Sequence, residues 1–426
     1  MPNTTVTRRS GLKTSRTPAR RASEKKKTPK TRLRVVRSGE RPPERRHTSE
    51  ARAAADRAVA LLLVATASLL LIGVAMVLSA SSVSAFDRFG SSFLFFNRQV
   101  AYAAAGVAAG ALTARMRYRA WERLCGPALL GAVVLLALVL HPAAGTVAGG
   151  SSRWIAVGPV TVQPSEFAKL AAVAFVGAVL ANRWKRIQDL RSLALPLVPV
   201  VGLVCILILL QPDLGTAVII GGTVFAMLFV AGARLKHLVL GGGATLALGF
   251  GAIYAEGYRW ARFISFTNPW ADPQGNGYQA MQSFIGLGSG GLFGVGLGAS
   301  RQKWLTLPNA HTDFIYSIIG EELGLLGALV VLTLFGLFVY SGIRIALRAP
   351  DMFGRLLAAG ITAWIGLQAV VNLGAVTGLL PITGVPLPFV SFGGSSLVVS
   401  LTAVGVLVSV GRMRSGSRRP RARSSR

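Results

Sequence analysis

Val59 to Ala80 reads "VALLLVATASLLLIGVAMVLSA", 22 residues without a charge. An α-helix rises about 1.5 Å per residue, so roughly 20 apolar residues cross the hydrocarbon core of a bilayer. A helix also satisfies its own backbone polar groups where water is absent. The run predicts a transmembrane span, drawn at 58–80. Further spans follow at 98–114, 125–140, 166–182, 192–210, 214–231, 237–255, 313–343, 355–374 and 394–411. The expected fold class is all-α, a polytopic membrane domain over 58–411 with about ten transmembrane helices. A chain that is 52% hydrophobic and only 15% charged agrees with this.

The formal net charge of +30 is concentrated at the ends. Residues 1–57 carry 18 Lys/Arg against five Asp/Glu, and residues 412–426 carry seven Arg and no acid. A composition rich in Ser, Thr, Pro, Lys and Arg predicts a disordered basic tail over 1–57. With almost no aromatics to stack on bases, both tails read as cytoplasmic segments drawn to membrane lipids, with no nucleic acid as partner. Alternate connections are basic too: "ARMRYRAWER" (114–123), "RWKRIQDLR" (183–191), "GARLKH" (232–237) and "RIALRAPDMFGR" (344–355). The positive-inside rule puts these and both termini on the cytoplasmic side, as an even span count requires. The opposite side carries 141–165, 256–312 and 375–393. The loop 256–312, between spans seven and eight, is too long for an idle connector. Cys125 and Cys205 lie in apolar runs and read as buried small hydrophobes. No cleavable leader is expected, because the first apolar run starts late and is too long.

Of the 16 acids, Glu166, Asp213, Asp313, Glu321 and Glu322 fall at span edges or inside spans. Burying ionisable groups is costly, which makes these functional candidates. Asp313 opens the eighth span within "LPNAHTDFIYSIIGEELGLLG" (307–327), beside His311 and Thr312. It reads either as a charge favouring the helix dipole or as a reactive carboxylate. Glu321 and Glu322 fall about 12 Å further along that helix, near mid-membrane. They are expected to be structural, with one meeting a cation from another span.

"VQPSEFAKL" (162–170) sets Glu166 and Lys169 at i, i+3 on one face. That spacing suits a mutual ion pair or a lysine offered to a phosphate. Arg153, in "GSSRWIAVGP" (150–159), adds a cation on the same side. Asp213, in "QPDLGT" (211–216), reads as a helix cap. "GVPLPFVSFGGSS" (384–396) brings Ser395 and Ser396 to a helix start, where they cap it or bind an anion. Arg259 and Arg262 recur among aromatics at near-helical spacing, which suits the headgroup interface. "GVAAG" (106–110) matches a small-residue packing seam. The histidines lack metal-ligand spacing. "GLGSGG" (286–291) fits GxGxxG, but no βαβ unit surrounds it.

These strings resemble the SEDS family of bacterial membrane proteins (shape, elongation, division and sporulation). The resemblance runs in order over about 58–411 and is carried by "RWIAVGPVTVQPSEFAKL", "QPDLGTA", "GNGYQAMQSFIGLGSGGLFGVGLGASRQKW", "LPNAHTDFIYSIIGEELGLLG" and "NLGAVTGLLPITGVPLPFVSFGGSS". "TGVPLPFVSFGGSS" and the basic tail are more similar to the cell-division member than to the elongation member. The resemblance implies a peptidoglycan glycosyltransferase in the bacterial cytoplasmic membrane, at the division septum. It would polymerise lipid II into a nascent glycan strand on the outer face and release undecaprenyl pyrophosphate. The implied partners are a class B penicillin-binding protein and other division proteins. The resemblance implies Asp313 as the catalytic acid, with Arg153 and Lys169 functionally important. Glu166, His311, Thr312, Arg259, Arg262, Ser395 and Ser396 are the further substrate-binding candidates. A divalent cation, Mg or Mn, is conceivable with the pyrophosphate, but no dedicated cage of ligands is visible. One departure is Asn309, where many relatives carry Glu. The alternatives are a transporter that flips the lipid-linked precursor and the elongation polymerase.

Overall fold

A computed structural model describes residues 43–413 except 143, 144, 149, 150, 159 and 305. The tail expected over 1–57 lies outside the described residues up to 42, and the tail expected over 412–426 does so from 414. Residues 43–57 are helical, contrary to the expected disorder, because α1 runs Pro43–Phe89. "EARAAADRA" is rich in strong helix formers and extends a helix already nucleated in the membrane.

Eleven helices follow. They are α2 (Leu94–Arg115), α3 (Arg119–Val139), α4 (Pro164–Asn182), α5 (Leu190–Leu209), α6 (Leu214–Ala231), α7 (Leu235–Tyr254), α8 (Gly257–Thr267), α9 (Tyr278–Ser289), α10 (Ile315–Leu347), α11 (Met352–Val376) and α12 (Gly394–Arg412). Among the described residues, nine helices are long and apolar enough to cross a membrane. They are all but α2, α8 and α9.

α2 has the length, at 22 residues, but Asn97, Arg98 and Gln99 interrupt its apolar character. It nevertheless lies parallel to α12 from end to end. Gln99 Nε2 donates to the Ser391 carbonyl (3.2 Å), Thr113 Oγ1 to the Thr402 carbonyl (3.0 Å) and Ser409 Oγ to the Met116 carbonyl (2.5 Å). A helix alongside a span over that length is itself a span, the tenth. The GVAAG seam makes the approach possible: a Cβ on Gly110 would lie 2.7 Å from the Leu401 carbonyl oxygen.

α4, α11 and α12 form the centre and are mostly buried, whereas α7 is almost wholly exposed. That gradient suits a membrane domain, in which lipid covers the outer helices and protein covers the inner ones.

Two features depart from the expected all-helical pattern of unbroken spans. The connection 141–165 holds a three-stranded antiparallel sheet, β1 (Gly145–Ala148), β2 (Ser151–Val157) and β3 (Val160–Val162), in the order β1-β2-β3. Val157 pairs with Val160 across the tight turn, where Gly158 takes φ 60°. The second departure lies in α10, which breaks at Gly324 (φ 68°, ψ −167°). The broken turn pairs with the loop after α9: Val295 and Gly296 donate to the Glu321 and Glu322 carbonyls (3.0 and 3.1 Å). Leu325 and Leu326 donate back to the Gly291 and Leu292 carbonyls (2.9 and 3.2 Å). A Cβ on Gly324 would collide with that loop backbone, so only glycine fits both the φ and the space.

Candidate active site

Asp313 sits in the turn that precedes α10. Asn309 starts the turn in the left-handed region (φ 58°), which Asn tolerates better than most side chains. Its carbonyl accepts from Thr312 N (3.0 Å), Thr312 Oγ1 (3.1 Å) and Phe314 N (3.4 Å). The turn is stitched to the 384–393 loop before α12. Ser391 Oγ donates to the Thr312 carbonyl (2.6 Å) and accepts from Leu387 N (2.8 Å), and Phe392 N donates to the His311 carbonyl (2.9 Å). From α11, Asn372 Nδ2 donates to the carbonyls of both Asp313 and Val385, each at 2.8 Å. The two loops are thus held as one surface around the Asp313 carboxylate.

That carboxylate has no hydrogen bond from any described residue, and Asp313 keeps partial accessibility. A Cβ on Gly384 would lie 3.6 Å from its Oδ2, so the glycine leaves space beside the acid. Burial pushes its pKa up to about 6. The positive charges of Arg153 and Arg262 oppose that rise, and Asp213 adds to it. A site that gathers one unbonded carboxylate, two guanidiniums and a second acid is organised for charge chemistry rather than for packing.

Each cation is held by different means. The β2 strand carries Arg153, whose Nε donates to the Gln211 carbonyl (2.9 Å) and whose Nη2 donates to the Pro212 carbonyl. Asp213 caps α6, accepting from Thr216 N (3.1 Å), as its sequence position suggests. Gln163 Nε2 reaches its other oxygen at 3.5 Å, and Gln163 N donates to Ser395 Oγ (3.1 Å). Ser395 and Ser396 are buried in the first turn of α12. Arg262 also lines a recess with Ser265, Phe266, Asn276, Gln279 and Phe284.

Other expected site residues lie elsewhere. Lys169 is closed to solvent, with Nζ 2.8 Å from both Glu166 Oε1 and Gln368 Oε1 and 5.2 Å from the centre of the Trp364 ring. The mutual ion pair, rather than a free phosphate ligand, is what the i, i+3 spacing produces. Arg259 gives its donors to the Ala252 and Leu209 carbonyls, both at 3.0 Å, at the ends of α7 and α5. His311 packs on Phe95 (4.8 Å between ring centres) and Phe392 (5.8 Å). Burial, with the Arg88 charge, holds its pKa down to about 4.

Glu321 and Glu322 do not lie beneath Asp313 at mid-membrane. Asp313 is bonded to Asn372, one turn before the end of α11. Further along the chain, Ser317 meets Ser283 (2.5 Å), which donates to the Val376 carbonyl at the end of α11. The chain therefore climbs away from Asp313 towards the loop face. Glu321 accepts from Ser300 Oγ (2.5 Å) and Arg301 N (2.8 Å), and Glu322 accepts from Ser79 Oγ (2.6 Å) and pairs with Lys303 (3.6 Å). Gln163, Gln368, Asn372 and Ser391 are site residues the sequence reading did not single out. For Gln368 and Asn372 the available signal is a polar side chain inside the apolar α11 run.

Among the described residues, no three His, Cys, Asp or Glu side chains gather as metal ligands.

Comparison with known proteins places this geometry. Residues 60–416 match the model of the FtsW/RodA/SpoVE family, described as "Cell cycle protein". The chain is 46% identical over 352 residues to stage V sporulation protein E of Bacillus subtilis (83% of this chain, 96% of that one). It is 42% identical over 357 residues to the probable peptidoglycan glycosyltransferase FtsW of Geobacter metallireducens (84% and 95%). Among solved structures it resembles a chain from work on the structural coordination of polymerization and crosslinking by a peptidoglycan synthase complex. That match has a TM-score of 0.68 and 29% identity, covering 82% of this chain and 96% of that one. The rod shape determining protein RodA of Thermus thermophilus matches with a TM-score of 0.61 and 29% identity, covering 82% and 95%. The chain belongs to the FtsW/RodA/SpoVE family of cell cycle proteins.

Proposed function

We propose that this protein is a peptidoglycan glycosyltransferase that polymerises lipid II at the outer face of the cytoplasmic membrane, in septal wall synthesis. The observation that carries the reading is the Asp313 carboxylate, which takes no hydrogen bond from any described residue and feels the positive charges of Arg153 and Arg262. An acceptor sugar 4-hydroxyl is a weak nucleophile, and a positioned carboxylate that takes its proton typically contributes about 10²–10⁴-fold. With its pKa raised to about 6, Asp313 is still mostly ionised at neutral pH and is a stronger base than an ordinary aspartate. As the glycosidic bond forms, the anomeric carbon loses undecaprenyl pyrophosphate, and negative charge gathers on the leaving oxygen. Arg153 and Arg262 are the cations placed to stabilise it. A divalent cation arriving with the pyrophosphate would find Asp313 and Asp213 as the nearby acids.

Lys169 acts through the fold rather than on substrate in this reading. A transporter would suit mid-membrane acids with a lysine, whereas Glu321 and Glu322 are bonded to the loop segment 300–303 and Lys169 to Glu166 and Gln368. A penicillin-binding transpeptidase is the proposed partner, in keeping with the synthase complex that the chain resembles.

The test is purified protein, with its transpeptidase partner, supplied with lipid II and read by gel for glycan polymer. Wild type should make polymer, and Asp313→Ala should make none while folding normally. Full polymerisation by Asp313→Ala would remove the acid from the mechanism.

A further inference from the structure

Gln368 lies on α11 one turn before Asn372 and is fully buried. Its Oε1 accepts from Lys169 Nζ (2.8 Å) and from Trp364 Nε1 (3.0 Å), and its Nε2 donates to the Pro386 carbonyl (3.0 Å). A lysine ammonium and an indole N–H are donors only. Together they fix which end of the amide is oxygen, a choice that is otherwise ambiguous. The amide must then present its N–H to the loop 384–391. That loop is the one bonded to the Asp313 turn through Asn372 and Ser391.

We infer that Gln368 is a positioning residue for the transfer reaction. The buried Glu166–Lys169 pair orients its amide, and the amide holds the Pro386 carbonyl and hence the loop that faces Asp313. This gives a role to a lysine that is closed to solvent between α4 and α11. Its charge sets the polarity of a neighbour that touches the site loop. The inference rests on the glycosyltransferase reading above and adds to it a residue that never contacts substrate.

Gln368→Glu is the discriminating substitution. It keeps the size and the partner for Lys169, but replaces the N–H aimed at Pro386 with an oxygen that repels it. Gln368→Met removes the donor without adding charge, together with the acceptor of Lys169 and Trp364, and stands in if the first variant does not accumulate. Both are assayed for lipid II polymerisation beside wild type and Asp313→Ala, with thermal midpoints measured in detergent. The expected result is kcat lowered about 10–100-fold, as small misplacements at an active site produce, with KM for lipid II near wild type and the protein still folded, its thermal midpoint falling no further than that of Asn372→Leu. Wild-type kcat in either folded variant would overturn the inference. A parallel loss of kcat, midpoint and yield in both would overturn it too, by assigning Gln368 to stability alone. Retained activity in Asp313→Ala would instead defeat the underlying reading, so the two failures are distinct.

Discussion

The side-chain amide of Asn372 lies 2.8 Å from the main-chain oxygen of Asp313. The catalytic candidate is therefore anchored by its backbone, and no described residue bonds its carboxylate. Removing the anchor should affect chemistry more than substrate capture. Asn372→Leu leaves the Asp313 and Val385 carbonyls without their donor, a loss of about 1–3 kcal/mol in stability. Polymerisation kinetics should show kcat falling by about 10-fold or more with KM little changed. A variant that loses KM alone would mean that Asn372 serves binding.

Asp313 carries a pH signature. Its pKa is raised from 3.8 to about 6 by burial. A base works when ionised, so kcat should fall as pH drops through about 6. His311, held near 4, does not account for that limb, so Asn in its place should leave the limb where it is. Stability runs the other way. The raised pKa favours the protonated fold, so the associated stability is complete below 3.8 and is lost as pH rises through about 6. At pH 8, Asp313→Asn should therefore unfold at a higher temperature than wild type while making no polymer. The stability difference is on the order of 2–3 kcal/mol at most.

How much of this was legible in the sequence depends on the range of the forces involved. Spans announce themselves by local hydropathy, and the edges of α4, α6 and α12 fall within a few residues of those drawn. Asp213 as a cap and Gly106/Gly110 as a seam are likewise local or one-neighbour features. The break at Gly324 was not legible. A glycine in an apolar run reads as a tolerated cost, and only the paired loop 291–296 turns it into a corner. That unseen corner is also what misplaced Glu321 and Glu322. For Lys169 the sequence leaves an ion pair with Glu166 and a phosphate ligand both open, because it shows the charge but not Gln368 and Trp364, 199 and 195 positions away. Asn372 and Gln368 were hidden for the same reason: their partners lie in other elements.

The clasp at Glu321 gives a third expectation. Its carboxylate receives Ser300 Oγ and Arg301 N, and the Glu321 residue is 1% exposed. Glu321→Ala strands these donors and loosens the 290–303 loop, leaving only its backbone pairing and the Glu322 contacts to hold it to the broken turn of α10. Stranding buried donors that have lost their acceptor costs about 1–3 kcal/mol. Hydrogen exchange should rise in 290–303 and around Gly324 before it rises in α4 or α12. Uniform exchange across all helices would show that the clasp is not a local device.

The seam between α2 and α12 supplies the last. A Cβ on Gly106 would meet Leu401 Cδ1 at 2.6 Å, the end of a side chain that can rotate away, and the Val398 Cα of the α12 backbone at 3.2 Å, a milder contact. At Gly110 the obstacle is the Leu401 carbonyl oxygen at 2.7 Å, which is backbone and cannot move without shifting α12. Although both glycines belong to one motif, the two alanine substitutions should therefore differ. Gly106→Ala should cost less than Gly110→Ala, because the helix propensity gained offsets part of a repacking of Leu401 and a few tenths of an ångström at Val398. Gly110→Ala should cost about 1–3 kcal/mol as overpacking, and it should also weaken the Thr113–Thr402 bond one turn on. Thermal midpoints of the two variants in detergent decide the matter. Equal midpoints, or a lower one for Gly106→Ala, would mean that α2 does not pack on the backbone of α12 as described.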